Sequence, residues 1–66
     1  MFGTVTEFDE HRGDGVIVDD DGTQYYFHCV HIADGTRIID VGNRVTWRRA
    51  VGLLGHDEAR DIRLVN

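Results

Sequence analysis

A chain of 66 residues has room for one small domain, so residues 1–66 are expected to fold as a single unit with a small core. Its 12 acidic residues outnumber 7 basic ones and give a net charge of −5, which opposes long-range attraction of a polyanion. A single cysteine excludes an internal disulfide, and no leader-like segment or long apolar run is present. We therefore expect a cytoplasmic protein without a membrane span.

Short apolar segments separated by Gly, Asp and Asn predict strands rather than helices. In chain order the strands are expected near residues 2–9, 15–19, 24–28, 43–50 and 57–65. The loop over residues 33–42 would close over one edge of the sheet. Three adjacent carboxylates at residues 19–21 indicate a solvated hairpin tip, since they lack the alternate spacing of a calcium-binding loop. This pattern favours a small all-β barrel.

Two short stretches carry a family resemblance: Arg12-Gly13-Asp14-Gly15-Val16-Ile17, and Tyr25-Tyr26-Phe27-His28. They resemble the two ribonucleoprotein motifs of the bacterial cold-shock domain. Similar runs follow in the family's order at residues 3–9, 30–32, 40–47 and 58–64. The resemblance implies a five-stranded antiparallel OB-fold barrel that binds single-stranded RNA or DNA without catalysis, as an RNA chaperone or a stress regulator.

The resemblance also implies which side chains meet the ligand. Because strand side chains alternate, Tyr25 and Phe27 point to one side and Tyr26 and His28 to the other. The second pair would lie on the binding face, whereas Val5, Ile17 and Trp47 would lie in the core. Base stacking is expected from Tyr26, His28 and Phe8, and phosphate contacts from Arg12 and Arg37. The full expected interface is Phe8, Arg12, Gly13, Gly15, Val16, Tyr26, His28 and Arg37.

The chain departs from the family at positions that normally carry aromatic rings. Glu7 stands in place of a tryptophan, and Asp14 and Val16 in place of phenylalanines. A base stacked on an aromatic ring contributes about 1 to 3 kcal/mol, so the loss of the rings at positions 7 and 14 alone would weaken binding by roughly 2 to 6 kcal/mol. We therefore expect weaker, strongly salt-dependent binding. The rival hypothesis is a barrel whose eroded nucleic-acid face now meets a protein partner.

Other chemistries have weaker support in the sequence. His28-Cys29-Val30-His31 gathers three zinc-ligand types, but adjacent strand residues point apart and no second cysteine supplies the usual spacing. Cys29 lacks the orienting group that a catalytic nucleophile needs, and Gly13-x-Gly15 lacks the third glycine of a dinucleotide site. We expect no metal, no cofactor and no enzymatic activity. A monomer is expected, with a domain-swapped dimer as the alternative.

Overall fold

Five strands account for most of the chain. The computed structural model describes residues 1–52 and 55–65. The strands are β1 (Phe2–Asp9), β2 (Asp14–Asp19), β3 (Gln24–His28), β4 (Arg44–Val51) and β5 (Asp57–Leu64). A single 3₁₀ turn, Cys29–His31, follows β3. The predicted strands agree with these bounds to within one residue at each end. In this described part of the chain, no helix has the length and apolarity to cross a membrane.

The strands close into a barrel in the order β1-β2-β3-β5-β4, with β4 returning to pair with β1. Four of the five seams are antiparallel, but β3 and β5 run parallel, with Tyr26 opposite Glu58. The prediction of a wholly antiparallel barrel was therefore wrong at this seam. β3 runs in the direction of β1, because both are antiparallel to β2, and β5 also runs in the direction of β1, because both are antiparallel to β4. The seam between β3 and β5 that closes the barrel is therefore parallel.

The inner face of the barrel holds one apolar core, to which every strand contributes. On β3 its members alternate with exposed residues, as a period of two requires, whereas on β5 the bulge sets Ala59 and Ile62 three residues apart. The predictions that placed Val5, Ile17, Tyr25, Phe27 and Trp47 inside are confirmed. The remaining core residues are Cys29, Ile32, Ile39, Val45, Ala59 and Ile62.

Two connections position the outer surface of the barrel. The acidic turn between β2 and β3 is a hairpin tip, as predicted, and Gly22 there adopts a φ of 93° that a residue with a side chain rarely takes. The loop after the 3₁₀ turn is tied at both ends. The Ala33 amide donates to the Ile62 carbonyl at 2.8 Å, and the Gly42 amide donates to the Val5 carbonyl at 2.8 Å. The loop thus spans the edge of the barrel from β5 to β1.

Candidate nucleic-acid interface

Two rows of side chains cross the outer face of β1, β2 and β3. Residues directly opposite each other on paired strands point to the same side of a sheet. The first row is Glu7, Val16 and Tyr26, and the second is Asp9, Asp14 and His28. We call these six residues the acidic face. The pairing brings Tyr26 and His28 together with the carboxylates of Glu7 and Asp14.

A shallow groove of about 640 Å³ lies along this face. Five of the eight predicted interface residues line it: Phe8, Arg12, Gly15, Val16 and Tyr26. Val16 faces outward, as expected, but only 9% of it is exposed, so it forms the floor between strands. The groove also includes Gln24 and Val41, which sequence reasoning did not place there.

Tyr26 is the main exposed aromatic side chain of the groove. Its exposed fraction is 55%, and one aromatic neighbour packs against its ring. That neighbour is His56, with ring centroids 6.1 Å apart and an angle of 74° between the planes, which is an edge-on contact. His56 precedes β5, and the parallel β3–β5 seam brings it beside Tyr26. With 55% of the residue exposed beside this contact, the tyrosine remains accessible to a planar group.

Phe8 lines the groove but packs mainly against the core. Its ring is stacked on that of Phe27, with centroids 6.0 Å apart and planes within 6°. Gly15 lies between β1 and Phe27, where a methyl group would come 2.8 Å from the Phe27 ring carbons and overlap the Glu7 carbonyl. Gly15 is therefore required by close packing. The ring of Phe8 offers less area for stacking than that of Tyr26.

His28 and Gly13 lie beside the groove rather than in it. The His28 Nδ1 accepts a hydrogen bond from the Val30 amide at 3.3 Å and caps the 3₁₀ turn. The ring remains exposed in the second row of the acidic face. Gly13 is buried with a φ of 72°, and its carbonyl accepts from the Cys29 amide at 2.7 Å. Its visible role is structural, whereas His28 is both a cap and an accessible ring.

The two predicted phosphate contacts differ in their surroundings. Arg12 borders the groove with 71% of its side chain exposed, but its Nε lies 3.1 Å from Asp14 Oδ1 and 3.7 Å from Asp9 Oδ2. Those two carboxylates offset the positive charge of Arg12, so the side chain attracts a phosphate less strongly. Arg37 lies in the loop between the 3₁₀ turn and β4 and does not line the groove. The structure therefore does not bring Arg37 together with the other predicted residues.

Negative charge dominates this side of the barrel. Residues 1–28 contain seven carboxylates and one arginine, a net charge of −6. A hydrogen bond joins the acidic hairpin tip to β4: Arg44 Nη1 donates to Asp20 Oδ1 at 2.8 Å. That hydrogen bond lowers the pKa of Asp20 from 3.8. Glu7 makes no ion pair with any described residue, so its charge is uncompensated at close range.

The histidines and the cysteine do not assemble a metal centre in the described residues, where no group of three His, Cys, Asp or Glu side chains is arranged to hold an ion. Cys29 is buried beneath Gly13, and its Sγ lies 3.8 Å from His28 Nδ1. His28 is exposed and Cys29 is buried, but β3 ends at His28 and Cys29 begins the 3₁₀ turn, so strand alternation does not set their directions.

The chain matches no protein-family model, and no curated protein is significantly similar to it. The geometry of the site therefore carries the functional argument. Sequence reasoning missed Gln24, Val41 and His56. Gln24 could have been found, because it lies two residues before Tyr26 on the same strand face. The other two residues reach the site only through distant parts of the chain. Val41 lies in the loop before β4, and His56 directly precedes β5.

Proposed function

We propose that this protein is a non-catalytic, cold-shock-like OB barrel that binds single-stranded RNA or DNA on the outer face of β1 to β3. The observation that carries the proposal is the half-exposed ring of Tyr26, set above Val16 on an open three-stranded surface. Tyr26 is also one of the three residues, with His28 and Phe8, to which the motif resemblance assigns base stacking. Every base has a flat face, so such a ring binds single strands with little sequence preference.

The acidic face limits the strength of this binding. The face offers one well-exposed aromatic ring, that of Tyr26, together with the rings of Phe8 and His28. The cold-shock domains that the motifs resemble carry more aromatic side chains at these positions. Each stacked base contributes about 1 to 3 kcal/mol, and nearby carboxylates repel the phosphates. We therefore propose weak, strongly salt-dependent binding by a cytoplasmic RNA chaperone or stress regulator.

A residue-resolved NMR titration with short oligo-U and oligo-dT, at low and moderate salt, tests the proposal. Saturable shifts centred on Tyr26, Val16, Phe8 and His28 that weaken with added salt are expected. If the folded protein shows no shifts with either strand at low salt, single-strand binding of these sequences is not its function. Comparison of the two strands also reports whether the 2′-hydroxyl matters.

A second candidate function follows from the charge of the groove. Glu7, Asp9 and Asp14 border Tyr26, and a tyrosine flanked by carboxylates also suits a cationic side chain of a protein partner. Salt weakens both kinds of complex, so salt alone does not separate them. Charge removal does: Glu7→Gln would strengthen binding of a nucleic acid and weaken binding of a basic peptide.

A further inference from the structure

Positive charge is concentrated on the side of the barrel away from the predicted motifs. Residues 44–65 contain five arginines and three carboxylates, a net charge of +2 in a chain whose total is −5. All five of these arginines lie on β4 or β5, which pair as a hairpin. The barrel therefore has an acidic side and a basic side, and the arginines of the basic side have no part in the interface described above.

Three of the hairpin arginines share one outward surface, and we call them the arginine triad: Arg48, Arg60 and Arg63. Arg48 lies directly opposite Arg60 across the two strands. Arg48 and Arg63 approach the same carboxylate, with Arg48 Nε 3.6 Å from Asp61 Oδ2 and Arg63 Nη2 3.0 Å from Asp61 Oδ1. Three guanidinium groups thus gather around one strand of the hairpin.

Asp61 reaches this position through an unusual backbone conformation. Its φ of 54° is the only positive value of a non-glycine residue in the described chain. It lies where the register between β4 and β5 shifts, between Thr46 and Arg48. Such a bulge turns a side chain away from regular alternation, and here it sets one carboxylate between two arginines.

The donors of the triad are incompletely used. Arg48 Nε lies 3.6 Å from Asp61, and Arg60 Nη2 lies 3.6 Å from Glu58 Oε1, which are ion-pair distances beyond an ordinary hydrogen bond. Of the three arginines in the triad, only Arg63 makes a side-chain hydrogen bond to another described residue. The exposed side-chain fractions are 77% for Arg48, 46% for Arg60 and 66% for Arg63. These groups remain able to bind an anion.

The triad adjoins the ring of Tyr26 on a continuous outer surface. Tyr26 lies opposite Glu58 across the parallel seam. Arg60 follows Glu58 by two residues on the same face of β5, roughly 7 Å along the strand, and neighbouring strands are about 4.8 Å apart. A chain whose base stacks on Tyr26 can therefore place phosphates over β5 and β4 without passing over Glu7, Asp9 and Asp14 on β1 and β2.

We propose that the arginine triad is the phosphate-binding surface for the strand that stacks on Tyr26. This inference rests on the proposed function, and in it the triad rather than Arg12 makes the main contacts with phosphate. Guanidinium groups hold phosphate oxygens through two parallel hydrogen bonds and are weakly hydrated. Arg12 alone is held between two carboxylates on the acidic face, whereas the three arginines of the triad share two, Asp61 and Glu58.

Binding of fluorescein-labelled oligo-dT, measured by anisotropy over a range of salt concentrations, tests the triad. Each phosphate contact contributes about −0.7 to the slope of log K against log salt. Each of Arg48→Gln, Arg60→Gln and Arg63→Gln is expected to reduce the slope by about 0.7 and weaken binding about fivefold at 0.1 M salt. The triple substitution by Lys, which retains the charge, is expected to keep most of the slope.

Arg49 provides a matched control on the same strand. It lies opposite buried Ala59 and pairs with Asp57 at 2.8 Å, away from the triad. Arg49→Gln should leave the slope nearly unchanged. Asp61→Asn should strengthen binding, because it removes the carboxylate that competes with phosphate, and asparagine tolerates the positive φ.

The outcomes separate the inference from the function beneath it. If wild-type protein binds oligo-dT but the triple Gln variant, still folded by circular dichroism, keeps the wild-type slope, the triad is not the phosphate surface and single-strand binding stands. An equal loss in Arg49→Gln would also overturn the assignment to this face. If the wild-type protein fails to bind at low salt, the proposed function fails and the inference falls with it.

Discussion

The three-stranded side of the barrel and the β4–β5 hairpin share one core but differ in charge. The acidic side has a net charge of −6 over residues 1–28 and carries Tyr26, whereas the hairpin side has +2 over residues 44–65. The total of −5 describes neither surface. Net charge governs long-range steering, but contact with a ligand depends on the charges within about a Debye length, roughly 10 Å at 0.1 M salt.

The largest effect is expected from a change that disrupts the acidic side from within. Gly15→Ala should lower the free energy of unfolding by about 3 kcal/mol or more, because the new methyl group would overlap the Glu7 carbonyl and the Phe27 ring. Urea denaturation followed by circular dichroism measures the loss.

Gly22→Ala is the control for that experiment. Gly22 has a φ of 93°, and a methyl group added there would meet no atom within 4 Å, so only the backbone penalty of about 1 to 2 kcal/mol applies. Equal losses in the two variants would show that packing against Phe27 does not constrain Gly15.

The next effect concerns the ring on the acidic side. Tyr26→Ala should weaken oligo-dT binding by about 1 to 3 kcal/mol, which is roughly fivefold to 150-fold, because a stacking surface is lost. Tyr26→Phe keeps the ring and should bind within about threefold of the wild type. Anisotropy titrations of the three proteins decide it. Similar affinity for Tyr26→Ala and wild type would remove this ring from the interface.

Removing carboxylates from the acidic side should reduce its repulsion of phosphates and so reduce the difference in charge between the two regions. In the double variant Glu7→Gln and Asp14→Asn, each lost charge about 10 Å from a phosphate contributes about 0.4 kcal/mol in water. Binding of oligo-dT should therefore tighten roughly fourfold at low salt and less at high salt. Asp34→Asn, in the loop before β4, is the control for total charge. Weaker binding by the double variant would instead favour direct contacts from these carboxylates.

The smallest effect is expected at the ion pair that joins the regions. Arg44 lowers the pKa of Asp20 below 3.8, so this pair stabilises the fold above that pH and the contribution is lost as pH falls through the lowered pKa. The urea midpoint of Arg44→Gln should lie below that of the wild type at about pH 6 and converge with it once the pH falls below the lowered pKa of Asp20. Arg37→Gln, a loop arginine, is the control. A difference that stays constant with pH would contradict the linkage.

Local sequence patterns were sufficient to predict the strands and their faces. Alternation of apolar residues placed Tyr25 and Phe27 inside and Tyr26 outside, since a period of two depends only on neighbours along the chain. Gly15 was also recognisable, because a glycine within a strand marks a close approach. The same alternation separates Arg48 from Arg49, since Arg48 lies opposite Arg60 and Arg49 lies opposite buried Ala59.

The pairing of distant strands was not predictable from local pattern. The parallel seam sets His56 against Tyr26 and joins the outer surface of β3 to that of β5. The separation of charge depends on the same closure, since Arg48, Arg60 and Arg63 meet only when β4 and β5 pair with a shifted register. Arg12 illustrates the converse: its motif position suggested phosphate contact, but its nearest partners are Asp9 and Asp14.

Trp47 has a practical consequence for experiments on this protein. The only tryptophan is 4% exposed and packs against Tyr25 in the core, with ring centroids 5.3 Å apart. Its indole Nε1 has no hydrogen-bond partner among the described residues. Its emission should thus report unfolding and remain nearly silent when a ligand reaches the outer surface. One sample can therefore give two independent optical signals, with Trp47 following the integrity of the barrel and a labelled oligonucleotide following occupancy.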